Sequence, residues 1–360
     1  MRFSALLLVA LSCVPAAMAE PPQAKLSEIA RGLKDPVAIG NMPGSSKTLY
    51  AAERRGRLRV FEDGSFKRDL LDLEDILDPD ANGALASVAF PSDYPSSKNF
   101  FVSFTDKQGD TIISRFGSKD GRTKNEDDLQ VVIKVAQGFS TKHTSSLAFG
   151  PDQFLYIGVG DTRDGTDKGA NAQNPKSLLG KILRLDVSDP TNYKIPASNP
   201  LVKQKAGAGE IFALGLQNPS TLVFNKESKK LFSLDAGEGI QELNVIQEGK
   251  NYGWNVFEGT SCRKQPCSTT DAIPPVYESK SAPFIGGFPY NGQKFPTLRG
   301  AVITSVKDSK EVAILTERAG TWTRETLLAT QDPISALGET TDGEILVAWN
   351  NGRVAVVEPQ

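Results

Sequence analysis

The sequence predicts an all-β chain closed into a six-bladed β-propeller, and three observations carry that expectation. One phrase recurs six times: a short apolar run, a turn rich in Pro, Gly, Asp or Ser, then a second apolar run and often a third with alternating polarity. The runs hold about four to seven residues, favour β-branched and aromatic side chains and are bounded by turn formers, as short antiparallel strands are. Helical periodicity is nearly absent, with room for one or two turns at most over 70–77. Units of a few strands cannot bury both faces alone, so they must stack radially. A β-sandwich, which needs fewer strands and residues, comes second.

Composition sets the frame. The 360 residues carry Lys+Arg 41 against Asp+Glu 43, a net charge of −2, and are 39% hydrophobic. So balanced a charge gives no basic surface for nucleic acid. The apolar content is ample for a core that offsets ordering entropy, so disorder is not expected.

Taken in order, the chain opens on Met1-Arg2 with one positive charge, an apolar run over 5–11 and the small-x-small pattern Ala17-Met18-Ala19. That run is too short to span a bilayer, which takes roughly 20 apolar residues. It reads as a secretory signal, residues 1–19, cleaved after Ala19. A buried N-terminal helix is the bland alternative. A lipoprotein signal at Leu11-Ser12-Cys13 is another, although Ala10 stands where Leu is expected. With no second long apolar stretch, the mature chain is expected to be secreted or periplasmic with no membrane span, as one propeller domain over 20–360.

Residues 25–31, with Leu26, Ile29 and Ala30 able to face inward, are the candidate strand that closes the propeller against its last blade. The six copies fall at 36–62, 85–116, 146–186, 221–246, 298–316 and 334–357, the fifth being the weakest. The extra residues at 162–181 and 249–289 then become loops on one face, where sites usually sit. Loss of the signal removes Cys13 and leaves Cys262 and Cys267, which can close a small bridge in an oxidising compartment. A reactive thiol or metal pair is the lesser reading, because no His or further Cys lies near in sequence.

Several collinear motifs then coincide. His143, small residues, Leu147-Ala148-Phe149-Gly150-Pro151-Asp152, Leu155-Tyr156-Ile157-Gly158 and Gly160-Asp161 form one series. Ala52-Glu53-Arg54, Gly56-Arg57-Leu58-Arg59-Val60, and Asn82-Gly83-Ala84-Leu85 running to Phe90 precede it. Leu179-Gly180-Lys181-Ile182-Leu183-Arg184-Leu185-Asp186, Asn218-Pro219, Glu242-Leu243-Asn244 and Asn251-Tyr252-Gly253-Trp254 follow. In this order they resemble the glucose/sorbosone dehydrogenase family, the soluble quinoprotein aldose dehydrogenases, over nearly the whole mature length.

The resemblance implies oxidation of a sugar at C1, with hydride passing to pyrroloquinoline quinone (PQQ) and a histidine removing the hydroxyl proton. Imidazole suits that task because its pKa lies near working pH. His143 is the sole histidine and stands at the family's base, with Asp161 as the acid that orients it. Asn82 stands where the family carries Gln or Glu near the quinone; it also reads as a turn residue in Asn-Gly.

The cofactor side departs from the pattern. Gln217, before Asn218-Pro219, replaces the arginine expected to stabilise reduced-quinone charge, removing an electrostatic contribution of several kcal/mol in a dry site. The Gly-Pro whose carbonyls hold Ca²⁺ reads Ala236-Gly237, and carbonyls do not depend on side chains, so a Ca²⁺ site can persist; Asp235 or Glu238 could add charge. Tyr290-Asn291-Gly292 replaces Tyr-Arg-Gly, a further lost cation, while Lys307 and Arg318 lie in the region of the basic clamp on the PQQ carboxylates.

Other signals carry less. Asp78-x-Asp80-x-Asn82-Gly83 imitates an EF-hand opening, but Ala89 stands where the bidentate Glu belongs. Asp161, Asp164 and Asp167 form either a Ca²⁺ loop or a solvated turn, and 119–128 is an exposed turn of mixed charge. No nucleophile elbow, Walker sequence or dinucleotide fingerprint occurs.

The expectation is therefore an exported PQQ- and Ca²⁺-dependent oxidoreductase acting on a small-molecule sugar, with the electron acceptor open. A glycan- or protein-binding propeller that lost the quinone and a Ca²⁺-dependent lactonase are the rivals.

Overall fold

The computed structural model describes residues 22–77, 84–117, 129–137, 145–161, 171–237, 239–263, 267 and 271–360. The described residues form six four-stranded antiparallel sheets, the last of which is completed by the first strand, β1 (Ala24–Ala30). Blade one is β2 (Pro36–Asn41), β3 (Thr48–Glu53), β4 (Arg57–Glu62) and β5 (Ser65–Asp72); blade two is β6 (Leu85–Ala89), β7 (Asn99–Thr105), β8 (Thr111–Gly117) and β9 (Gln130–Val135). Blade three is β10 (Ser145–Phe149), β11 (Leu155–Val159), β12 (Lys181–Leu185) and β13 (Ile211–Leu214). Blade four is β14 (Pro219–Phe224), β15 (Leu231–Ala236), β16 (Gln241–Ile246) and, past a small β17 (Phe257–Glu258) and β18 (Ser261–Cys262) hairpin, β19 (Tyr277–Ser279). Blade five is β20 (Phe284–Pro289), β21 (Val302–Val306), β22 (Glu311–Arg318) and β23 (Thr321–Ala329). Blade six is β24 (Ile334–Glu339), β25 (Ile345–Trp349), β26 (Val354–Pro359) and β1.

The first strands of the six blades, β2, β6, β10, β14, β20 and β24, touch one another in that cyclic order and form the wall of the axis. The seam is the one expected: β1 pairs antiparallel with β26, Leu26 opposite Val357. Strand alternation explains the packing, because successive side chains point to opposite faces of a blade. On β7, Phe100, Val102 and Phe104 enter the apolar cluster shared with blade one, while Phe101 enters the one shared with blade three. One such cluster fills each of the six gaps between neighbouring blades. Full burial of an aromatic in such a gap contributes roughly 1.5–3 kcal/mol.

Three details differ from the sequence reading. The fifth blade begins at β20, inside the stretch 249–289 assigned to a loop, and that stretch also holds β17 to β19. Over 70–77 the chain completes β5 and then turns, without a helix. The repeating phrase shows two apolar runs and often a third, whereas every blade has a fourth, outer strand. Cys262 and Cys267 form the expected disulfide, with Cα atoms 6.1 Å apart.

Candidate functional site

In an antiparallel four-stranded blade, the connection into the first strand and the turn from second to third strand lie at the same end. Asp161, just past β11, Gln217 and Asn218, just before β14, and Ala236 and Gly237, at the β15–β16 turn, therefore gather at one end of blades three and four. Asn82 and His143 belong in sequence to the connections before β6 and β10 and lie outside the described residues, as do Asp164, Asp167 and Glu238.

Asp161 is 2% exposed. Its N–H donates to the Gln217 carbonyl at 2.7 Å, tying blade three to the entry of blade four. The Trp254 indole Nε1 donates to its Oδ2 at 2.9 Å. Trp254 arrives on the long connection after β16, which runs beside β13 through hydrogen bonds from the Leu214 N–H to the Lys250 carbonyl and from the Tyr252 N–H to the Leu214 carbonyl. The Arg263 guanidinium stacks on the indole, 4.6 Å from the ring centroid. Gln173 Nε2 donates to the Trp254 carbonyl at 2.5 Å, and the Gln173 and Asn251 amides bond reciprocally.

Beside Asp161 stands a group the sequence reading treated only as part of a motif. Lys181 is fully buried, and its Nζ donates to the carbonyls of Asn171 (2.7 Å), Ala172 (2.9 Å) and Leu179 (2.7 Å). Burial pushes its pKa down to about 7, opposed by the Asp161 charge. The cue was available: a lysine directly before the apolar pair Ile182-Leu183.

Blade four contributes acid. Asp235 accepts from the backbone N–H groups of Gln217 (2.9 Å) and Asn218 (2.5 Å). Burial lifts its pKa to about 6, the Asp161 and Glu258 charges adding to the rise and the two backbone donors opposing it. Glu242, accepting from Gly259 N–H and Asn244 Nδ2, is lifted by burial and then by Asp235 to about 7. The Gln217 side chain is 4% exposed, and among the described residues neither end of its amide has a partner. A buried amide without partners costs about 1–3 kcal/mol per unmade bond, so this side chain is suited to complete its bonds on a ligand.

The residues present fit the carbonyl edge of a quinone through Gln217. For Ca²⁺, Ala236 and Gly237 offer backbone oxygens; the Gly237 carbonyl accepts from Gln241 Nε2 at 3.1 Å and keeps its second lone pair. Among the described residues no three His, Cys, Asp or Glu side chains are placed to hold a metal.

Two of the positions weighed from sequence for the charge around the cofactor lie away from this cluster. Asn291 lies between β20 and β21, at the opposite end, where its Nδ2 donates to the Pro289 carbonyl at 2.8 Å, so its lost charge does not bear on the site. Arg318 ends β22 at that same opposite end, opposite Thr321, whereas Lys307 is exposed in the β21–β22 turn at the site end.

Comparison with known proteins gives a consistent picture. The family profile described as Glucose / Sorbosone dehydrogenase matches residues 33–357. The HIPL1 protein of Arabidopsis thaliana is 31% identical over 234 residues, covering 54% of this chain and 34% of that protein, so the chain spans about a third of its length. Aldose sugar dehydrogenase YliI of Escherichia coli (strain K12) is 26% identical over 329 residues, covering 86% of this chain and 85% of that one. Hedgehog-interacting protein of Homo sapiens is 26% identical over 310 residues, covering 77% and 42%. The solved soluble aldose sugar dehydrogenase of Escherichia coli, in its apo form, aligns with a TM-score of 0.79 at 23% identity over 94% of this chain and 100% of that one, which supports the fold. Among the described residues no helix is long and apolar enough to cross a membrane.

Proposed function

Because the chain belongs to the Glucose / Sorbosone dehydrogenase family, we propose that it is an exported oxidoreductase that oxidises the C1 hydroxyl of an aldose or a related hydroxy compound. The observation that carries this reading is the Asp161 carboxylate, buried and fixed by Trp254, at the same blade end as the Gln217 amide, which has no partner among the described residues.

His143 takes the hydroxyl proton, and Asp161 orients its ring and stabilises the imidazolium that forms. Trp254 holds one carboxylate oxygen of Asp161, so the acid keeps one orientation through the proton transfer. Gln217 and Asn218 would hold the quinone, with Asn82 a further candidate contact, and the Ala236 and Gly237 carbonyls would hold Ca²⁺. When bound, pyrroloquinoline quinone supplies the acceptor for the hydride. Residues 1–19 act as the export signal, and the rest forms one domain in the periplasm or outside the cell.

The test is reconstitution of the full mature chain with PQQ and Ca²⁺, followed by dye reduction across a panel of aldoses. Sugar-dependent reduction supports the reading; absence of quinone binding together with absence of turnover removes it.

A second reading is favoured by a specific observation. Gln217 is neutral where an arginine was expected, and the buried Lys181 has all three ammonium protons engaged by carbonyls. With Asp235 and Glu242 buried alongside, the cluster suits a neutral, hydroxyl-rich ligand better than a triple anion. On this reading the propeller binds a glycan or protein without turnover, and His143→Ala leaves that binding intact. The lactonase reading needs carboxylates converging on an ion, and the described residues offer it no support.

A further inference from the structure

Gln173 takes no part in the proposed chemistry, yet its whole side-chain amide is engaged around Trp254. It ends a single 3₁₀ turn, Asn171–Gln173, on the connection between β11 and β12. Its Nε2 donates to the Trp254 carbonyl at 2.5 Å and to Asn251 Oδ1 at 3.1 Å, and its Oε1 accepts from Asn251 Nδ2 at 2.8 Å. Both of its N–H donors are thereby used. Asn251 Oδ1 accepts a second bond, from the Gly253 N–H at 2.9 Å, so the pair of amides fixes the chain from 251 to 254. The turn that carries Gln173 is itself tied down. Lys181 Nζ donates to its Asn171 and Ala172 carbonyls, and the Ala172 carbonyl also accepts from the Gly215 N–H at 3.1 Å. The Gly215 carbonyl then accepts from the Trp254 N–H at 2.9 Å, so both polar groups of the Trp254 main chain are held, one from each side. Gly215 permits this approach: its φ is +79°, and a Cβ there would lie 2.0 Å from Asn251 Oδ1.

We propose that Gln173, locked to Asn251, is a positioning residue: it sets the place of Trp254, whose indole Nε1 donates to Asp161 Oδ2, and so aims that carboxylate at the base. Only two torsions separate the Trp254 Cα from its ring. A shift of the main chain is therefore passed to the indole nitrogen and to the carboxylate it holds. The Arg263 guanidinium stacked on the ring restrains the torsions but not the main chain, which is the part that Gln173 holds. Misplacement by about 1 Å at a group that orients a catalytic base costs on the order of a hundredfold in rate. The catalytic meaning rests on the reading of Asp161 as the partner of the base; the seating of Trp254 on Asp161 does not.

The test is the solvent-exchange rate of the Trp254 indole N–H, read from its ¹⁵N–¹H resonance and assigned by Trp254→Phe. Trp322 and Trp349, the other two tryptophans, serve as internal controls. Gln173→Met keeps the length of the side chain and removes its polar atoms. In it the Trp254 indole should exchange about tenfold faster, the weight of one ordinary hydrogen bond, while the two control indoles keep their rates. A general loosening would raise all three and, like an unchanged Trp254 rate, overturns the proposal. Should Gln173→Met fail to fold, Gln173→Glu decides: it still accepts from Asn251 Nδ2 but sets an acceptor against the Trp254 carbonyl, and the same selective rise is expected. Dye reduction with PQQ and Ca²⁺, expressed per bound quinone, separates this claim from the dehydrogenase reading. With the unmodified chain active, the account expects kcat to fall about ten- to a hundredfold with the KM for the aldose kept, and an unchanged kcat beside a faster indole overturns the positioning role. An inactive unmodified chain beside a selectively faster Trp254 indole sinks only the dehydrogenase reading.

Discussion

Gln217 concentrates the tension between stability and use of the site. Its amide is buried with neither end satisfied among the described residues. Replacing a partnerless polar group by an apolar one of similar size removes a desolvation penalty and loses no bond. Gln217→Leu should therefore raise the stability of the ligand-free protein by about 1 kcal/mol in denaturant melts while weakening ligand binding. A destabilised variant would show that the amide is satisfied in solution. Glu242 gives a pH-dependent counterpart. Its pKa in the fold is raised to about 7, so the native state holds a proton that the unfolded chain has already released. The stabilisation is complete below the ordinary carboxylate pKa and is lost as pH rises through the folded value. The melting temperature should fall between pH 5 and pH 8 (conditions set at roughly the two ends of that window), and Glu242→Gln should flatten the fall. The substituted amide can donate to Asn244 Oδ1, which has no partner among the described residues. An equal slope in both proteins contradicts this account of Glu242.

Elements explain both what holds Trp254 in place and what the sequence concealed. The β17–β18 hairpin carries Glu258, which accepts from Gly239 N–H at 2.9 Å, and leads into Arg263 on the Trp254 ring. Its disulfide closes a short loop, so the expected contribution to global stability is modest, roughly 2 kcal/mol. The double change Cys262→Ser with Cys267→Ser should instead act locally, making Trp254 more accessible to acrylamide quenching, with Trp254→Phe identifying the responding indole. Unchanged quenching would mean that the hairpin stays seated without the bridge. The first strand of blade five escaped the sequence reading for a similar local reason. Gly286 and Gly287 interrupt its apolar run, and Gly287 is required there because a Cβ would lie 2.7 Å from the Ile303 carbonyl oxygen. Outer strands were also hidden: β5 and β9 keep much of their length exposed or half-buried, and so carry Lys67, Arg68 and Gln130 where a core strand would be apolar.

At the scale of the whole molecule, the blade count and the β1–β26 seam were legible because radial stacking imposes a repeating pattern of strands on the chain itself. Asp161, Gln217, Asn218, Ala236 and Gly237 were legible through motif order, and the fold does bring them to one end of two adjacent blades. The burial of Lys181 was not, since it depends on carbonyls supplied by Asn171, Ala172 and Leu179, which spacing alone does not reveal. Asn291 misled for the converse reason: a motif position says nothing about which end of a blade it occupies. The central claim is that this fold carries a quinone beside a histidine base. The most direct measurement titrates PQQ with Ca²⁺ into the mature chain and into His143→Ala, following quinone absorbance and then aldose-dependent dye reduction in the same samples. The account predicts that both proteins bind quinone and that only the unmodified chain turns over. Failure of the unmodified chain to bind the quinone, or turnover preserved in His143→Ala, would contradict it.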